Sequence, residues 1–70
     1  MKLSARNALK GTIKAIDVGA VNVDVIVEVA PGIEVSSIIT KKSYENLGLA
    51  EGKEVYAVIK ASNVMIGVDH

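Results

Sequence analysis

The chain has 70 residues and no formal net charge, eight basic residues balancing eight acidic ones, and half of it is hydrophobic, with a mean hydropathy of +0.38. It has no cysteine and a single histidine at its last position, His70, which removes disulfides, thiolate metal sites and thiol catalysis and leaves no firmly held imidazole ligand. One domain over residues 1–70 is the expectation, with a core so small that oligomerisation is needed to support it. No basic run, no bilayer-spanning apolar stretch and no signal-peptide core is present, so neither nucleic acid nor membrane is an expected partner and a cytoplasmic protein is the default.

The first predicted element alternates with a period of two. Leu3, Ala5, Leu9, Ile13 and Ala15 share one face, and Lys2, Ser4, Arg6, Lys10, Thr12 and Lys14 share the other. Helical spacing also exists among Ala5, Ala8, Leu9, Ile13 and Ile16, but Gly11 and the β-branched Thr12 and Ile13 favour a strand. After a turn at Asp17-Val18-Gly19-Ala20, Val21, Val23, Val25, Val27 and Val29 place five valines on one face, which only a strand does. Ala30-Pro31-Gly32 is the next turn, and strand three runs from about Ile33 to Thr40. One short helix follows, with Thr40 or Ser43 as its cap and Gly48 as its stop. Glu51-Gly52-Lys53 turns into strand four, where Val55, Ala57 and Ile59 alternate with polar positions, and Val64, Ile66 and Val68 give a short fifth strand.

The predicted fold is therefore all-β: a five-stranded OB-like barrel with one short helix between strands three and four. Ile26, Ile38, Val58 and Met65 fall on faces that should be polar. An oligomer would bury them, so composition and patterning both point to self-association.

Enzyme chemistry finds no support. The chain has no Ser-His-Asp set, no Cys-His pair, no HExxH and no GxxxxGK[ST], and Asp17, Asp24, Glu28, Glu34, Glu51 and Glu54 read as solvated surface charges. Three donor clusters remain. Ser4-Ala5-Arg6-Asn7 lies at the start of strand one, Lys60-Ala61-Ser62-Asn63 follows strand four, and Thr40 with Ser43 marks the start of the helix. They supply cations, hydroxyls and free backbone N–H groups, and no carboxylate lies within them. Such a set suits a fully deprotonated oxyanion, molybdate, tungstate or sulfate, whose oxygens only accept hydrogen bonds. On residue types alone, Ser-x-Arg on a strand and Lys-Ala-Ser at a turn are more often ordinary solvated surface.

The same residues carry a resemblance. Ser4-Ala5-Arg6-Asn7-Ala8-Leu9-Lys10-Gly11, Gly19-Ala20-Val21-Asn22, Ile39-Thr40 with Ser43, Leu47-Gly48-Leu49, Gly52 and Ile59-Lys60-Ala61-Ser62-Asn63-Val64 closely resemble the molbindin (Mop) family, small cytoplasmic molybdate-binding proteins related to TOBE domains. The resemblance spans essentially the whole chain. It implies a homohexamer built from dimers, binding molybdate or tungstate at subunit interfaces for storage, buffering or delivery, with no further cofactor. By position it implies that Ser4, Ala5 and Arg6 meet Lys60, Ala61 and Ser62 at one site, with Thr40 and Ser43 from a neighbouring subunit. A second class of site would fall at Gly19-Ala20-Val21-Asn22, a stretch that reads equally as a hairpin turn. One departure is Ala8, where the family commonly has glutamine. Two other readings stand beside this one: a TOBE-like regulatory or structural module acting through a partner, and an OB-type nucleic-acid binder. The second is disfavoured by two Tyr, no Phe, no Trp and no net positive charge.

Overall fold

The computed structural model describes residues 5–69. Four antiparallel strands, β1 (Asn7–Val18), β2 (Asn22–Ala30), β3 (Ile33–Thr40) and β4 (Glu54–Ile59), form one sheet in the order β3-β2-β1-β4. A helix, α1 (Lys41–Leu47), lies between β3 and β4 in the chain, and a short 3-10 turn (Ala61–Asn63) follows β4.

Five strands were expected and the described residues contain four. Residues 64–69 are irregular, and Met65 and Ile66 are 92% and 89% exposed. The alternation of Val64, Ile66 and Val68 is that of a strand, but no neighbouring strand of this chain hydrogen-bonds to it, and without a ladder the pattern forms no sheet.

The first strand also departs from simple alternation. It begins at Asn7, so Arg6 precedes it, and it continues to Val18 through the first residues of the expected turn. Pairing with β2 shifts between Ile13↔Val27 and Ala15↔Ile26, which leaves Lys14 as the extra residue of a β-bulge. A bulge reverses the side-chain alternation beyond it. Ile16 therefore packs on the core beside Ile13, and Ala15, expected inside, is exposed. Lys14 swings outward to Glu28, 3.1 Å away, and the hydrogen bond and charge of that carboxylate raise its amine pKa above the usual lysine value.

In β2 the valine face is real but shorter than its sequence. Val23, Val25 and Val27 are buried, Val29 is half-buried beside a second register shift, and Val21 lies before the strand and is exposed. With Ile13, those three valines are the fully buried core, and Ile39, Tyr44, Leu49 and Val55 pack around them. The concave face of the sheet is otherwise open, as a groove of about 340 Å³ lined by residues including Ile39, Leu49, Val55, Ala57 and Val58.

Two local features hold this half-barrel in shape. At Gly11 the strands approach so closely that a Cβ would lie 2.5 Å from the Glu28 carbonyl oxygen and 2.8 Å from a Val27 methyl. The turn before β4 is tied to β1 by hydrogen bonds from Ile13 N–H to the Lys53 carbonyl (3.0 Å) and from Gly52 N–H to the Ile13 carbonyl (2.8 Å), with Gly52 at φ 86°. Replacing Gly11 by alanine should lower unfolding stability by about 1–3 kcal/mol, because backbone and not a flexible side chain must move; the midpoint of chemical denaturation measures it, and an unchanged midpoint would contradict the close approach.

Candidate functional site

The three donor clusters fall at the two ends of the sheet. At one end, Asn7 pairs with Ile59 across β1 and β4, and its side-chain amide donates to the Ile59 carbonyl oxygen at 3.3 Å. Arg6 immediately precedes β1 and Lys60 immediately follows β4, and both are exposed. The turn Ala61–Asn63 closes beyond them, with Asn63 N–H donating to the Lys60 carbonyl oxygen at 2.9 Å. The Asn7↔Ile59 pairing thus puts Arg6 and Lys60 at the same end of the sheet, with Ala5 preceding the one and Ala61 and Ser62 following the other. Ser4 lies outside the described residues.

Two cations placed side by side at strand ends repel each other. The ion pairs among the described residues are Lys10–Glu54 and Lys14–Glu28, so neither Arg6 nor Lys60 is neutralised by one. What the arrangement can do chemically is accept a compact anion. Arg6 offers a planar fork of donors, Lys60 a mobile point charge and Ser62 a hydroxyl.

At the opposite end, Asn22 pairs with Thr40, and Lys41 N–H donates to the Val21 carbonyl oxygen at 2.9 Å. Gly19 N–H closes its own turn onto the Asn22 carbonyl oxygen at 2.8 Å. Thr40 caps α1. Its side chain accepts from Ser43 N–H at 3.1 Å, and its hydroxyl donates to the Ser43 hydroxyl at 2.9 Å. With Thr40 so engaged, the Ser43 hydroxyl keeps its own proton for an outside acceptor. Helix α1 ends at Gly48, in the left-handed conformation at φ 61°, and the Lys53 amine donates to the Leu47 and Gly48 carbonyl oxygens at 2.9 and 3.2 Å.

Thr40 and Ser43 therefore do not join Arg6 and Lys60 within one chain. At about 3.3 Å per residue the twelve residues of β1 separate its ends by roughly 36 Å, close to the molecule's longest dimension of 38 Å. The sequence also did not reveal that Gly19-Ala20-Val21-Asn22 shares an end with Thr40 and Ser43, because that depends on the β2–β3 register. Asn7, quoted in the motif but given no role, fastens the first cluster to β4. Ala8 is exposed and pairs with Val58, so a longer side chain has room there. Among the described residues no group of three His, Cys, Asp or Glu is placed to hold a metal, and no helix is long and apolar enough to cross a membrane.

This is a small curled sheet, one end of which presents hydrogen-bond donors and two cations without an ion pair among the described residues, the class of an anion-accepting β-domain. The TOBE domain family profile matches residues 3–66. The chain is 50% identical over 66 residues to molybdenum-pterin-binding protein 3 of Clostridium pasteurianum, covering 94% of this chain and 97% of that one. The MopII structure from the same organism superposes with a TM-score of 0.89 at 43% identity, covering 96% of this chain and all of that one. ModG, described as a cytoplasmic molybdate-binding protein and solved with molybdate bound, superposes with a TM-score of 0.91 at 50% identity, covering 97% of this chain and 48% of that chain. The chain belongs to the TOBE domain family, in its molbindin (Mop) branch.

Two outcomes follow from the geometry. Thr40→Ala should cost about 1 kcal/mol of stability through loss of the helix cap, read as a lower denaturation midpoint. Arg6→Ala and Lys60→Ala should each leave that midpoint within about 0.5 kcal/mol of the parent, since both side chains are exposed; a large loss would assign them a structural role instead.

Proposed function

We propose that this chain is a binding protein for molybdate or tungstate and carries no catalytic activity. Residues 1–70 act as one oxyanion-binding domain within a homohexamer built from dimers, in the cytoplasm, for storage, buffering or delivery of the anion. The observation that carries the reading is the juxtaposition of Arg6 and Lys60 at one end of the paired strands β1 and β4, beside Ser62. A dianion there converts a repulsion into two charge-assisted contacts. Relatives whose names refer to molybdate or molybdenum support the choice of anion. The donor-only chemistry supports a fully deprotonated oxyanion over phosphate, which near neutral pH often keeps a proton that calls for an acceptor.

The site is proposed to consist of Ser4, Ala5, Arg6, Lys60, Ala61 and Ser62 of one chain with Thr40 and Ser43 of a neighbour. The separation of the two sheet ends supports that division, since a single chain cannot fold one end onto the other. The Gly19-Ala20-Val21-Asn22 turn is proposed as a second class of site, where its backbone and the Ser43 hydroxyl face solvent together.

Calorimetric titration tests this. Molybdate and tungstate should bind, with little heat from phosphate; no heat from molybdate, on protein whose assembly has been checked by native mass spectrometry, would overturn the reading. Loss of one charge-assisted contact costs about 1.5–3 kcal/mol, so Arg6→Ala and Lys60→Ala should each weaken binding roughly 10- to 100-fold. Unchanged affinity in both variants would remove the site from these residues.

A further inference from the structure

The anion site proposed above depends on two cations at the loose end of an edge strand. Strand β4 has β1 as its neighbour in the sheet, and Asn7↔Ile59 is the last of their pairs. Lys60 follows directly and leads into the 3-10 turn. The backbone bonds of that turn, from Asn63 N–H to the Lys60 carbonyl oxygen and from Val64 N–H to the Ala61 carbonyl oxygen, run within the turn itself. Strand ends of this kind fray, and neighbouring like charges promote it. Among the described residues one side chain works against that. The half-buried Asn7 amide crosses from β1 and donates to the Ile59 carbonyl oxygen at 3.3 Å.

We infer that Asn7 is a positioning residue of the anion site, setting the distance between Arg6 and Lys60 through its bond to the Ile59 carbonyl oxygen. This rests on the site proposed above and adds to it a residue that holds the donors without touching the anion. The connection is short on both sides. Asn7 is joined to Arg6 by one peptide bond, and the oxygen it grips belongs to the peptide that joins Ile59 to Lys60. The carbonyl on the far side of Lys60 is gripped as well, by Asn63 N–H at 2.9 Å. Lys60 is thus held through both of its flanking peptides. A binding constellation has to be kept within about 0.5 Å of its productive geometry, and two exposed side chains have no packing of their own to do so.

The chemistry of the side chain matters as much as its reach. An aspartate has the same shape, but its carboxylate would offer the Ile59 oxygen no proton and would compete with an arriving dianion for the two cations. The amide donates and carries no charge. It closes the strand ends and leaves the positive field to the ligand. Asn7 is in this respect the opposite of Glu54 and Glu28, whose carboxylates pair with Lys10 and Lys14 elsewhere on the same sheet.

Molybdate titration of full-length variants, each checked for assembly by native mass spectrometry, tests this. Asn7→Ala should weaken binding about 3- to 10-fold, the contribution of one neutral hydrogen bond. Asn7→Asp should weaken it further. Asn7→His at about pH 8, where the ring is neutral, puts an N–H in the place of the amide donor and should recover part of the loss. Equal affinity in the parent, alanine and aspartate proteins would overturn the inference, and so would a histidine variant no better than alanine. A double-mutant cycle separates positioning from general structure. In a Lys60→Ala background, Asn7→Ala should change affinity by less than about 2-fold; the full loss there would overturn the positioning role. Without the anion, Asn7→Ala should move the Ile59 carbonyl carbon resonance, and an unmoved resonance would contradict the bond. No molybdate binding by the parent would overturn the function proposed above, whereas parent binding that is indifferent to Asn7 would overturn this inference alone.

Discussion

Everything in this molecule follows from a sheet that cannot cover its own apolar face. Four strands curl far enough to enclose Ile13, Val23, Val25 and Val27 completely, and no further. The devices that produce the curl are local and specific. Gly11 lets β1 and β2 approach, the bulge at Lys14 bends β1, and the Gly52 turn holds β4 against the middle of β1. Bulges sharpen twist and close sheets on themselves. Here the closure is incomplete, and the hydrophobic effect, proportional to the apolar area removed from water, is left with surface still to bury.

The same long strand that makes the curl divides the donor groups. Because β1 is long, different residues lie at its two ends: Arg6 and Lys60 just beyond the Asn7↔Ile59 pair at one, Asn22 paired with Thr40 at the other. On the site proposed above, a single chain therefore holds two half-sites at opposite ends of the sheet. This is an unusual position for a binding protein, whose pockets are normally concave and preformed in one chain. The concave surface this chain does possess is apolar and has no use for an oxyanion.

Much of this was legible in the sequence, and the failures have physical causes. The valine run of β2, the extent of β3, the Thr40 and Gly48 caps and the alternation of Val55, Ala57 and Ile59 depend on local periodicity and turn chemistry, which neighbouring residues determine. The reversal at Lys14 was not legible, since a bulge is a property of two strands in register and Ile13-Lys14-Ala15 alternates as any strand would. The grouping of Gly19-Ala20-Val21-Asn22 with Thr40 was hidden for the same reason. The donor clusters could be listed from residue types, but only the Asn7↔Ile59 pairing places Arg6 beside Lys60. The fifth strand failed differently. Val64, Ile66 and Val68 have the right pattern, and a pattern states only that one face wants burial. It does not state what covers that face.

On the proposed assembly, that last point joins the anion to the oligomer. Bringing copies together would concentrate arginine and lysine at their contacts, which opposes association, while burial of the uncovered apolar face would favour it. A dianion bound at the contact reverses the sign of the first term. A ligand that binds only the assembled form stabilises it by about 2.7 kcal/mol per site when present at a hundred times its dissociation constant, and a symmetric particle repeats that gain at every equivalent interface. The coupling is reciprocal. Whatever strengthens the contact between copies must tighten anion binding, and a chain that cannot associate must bind weakly even with every donor in place.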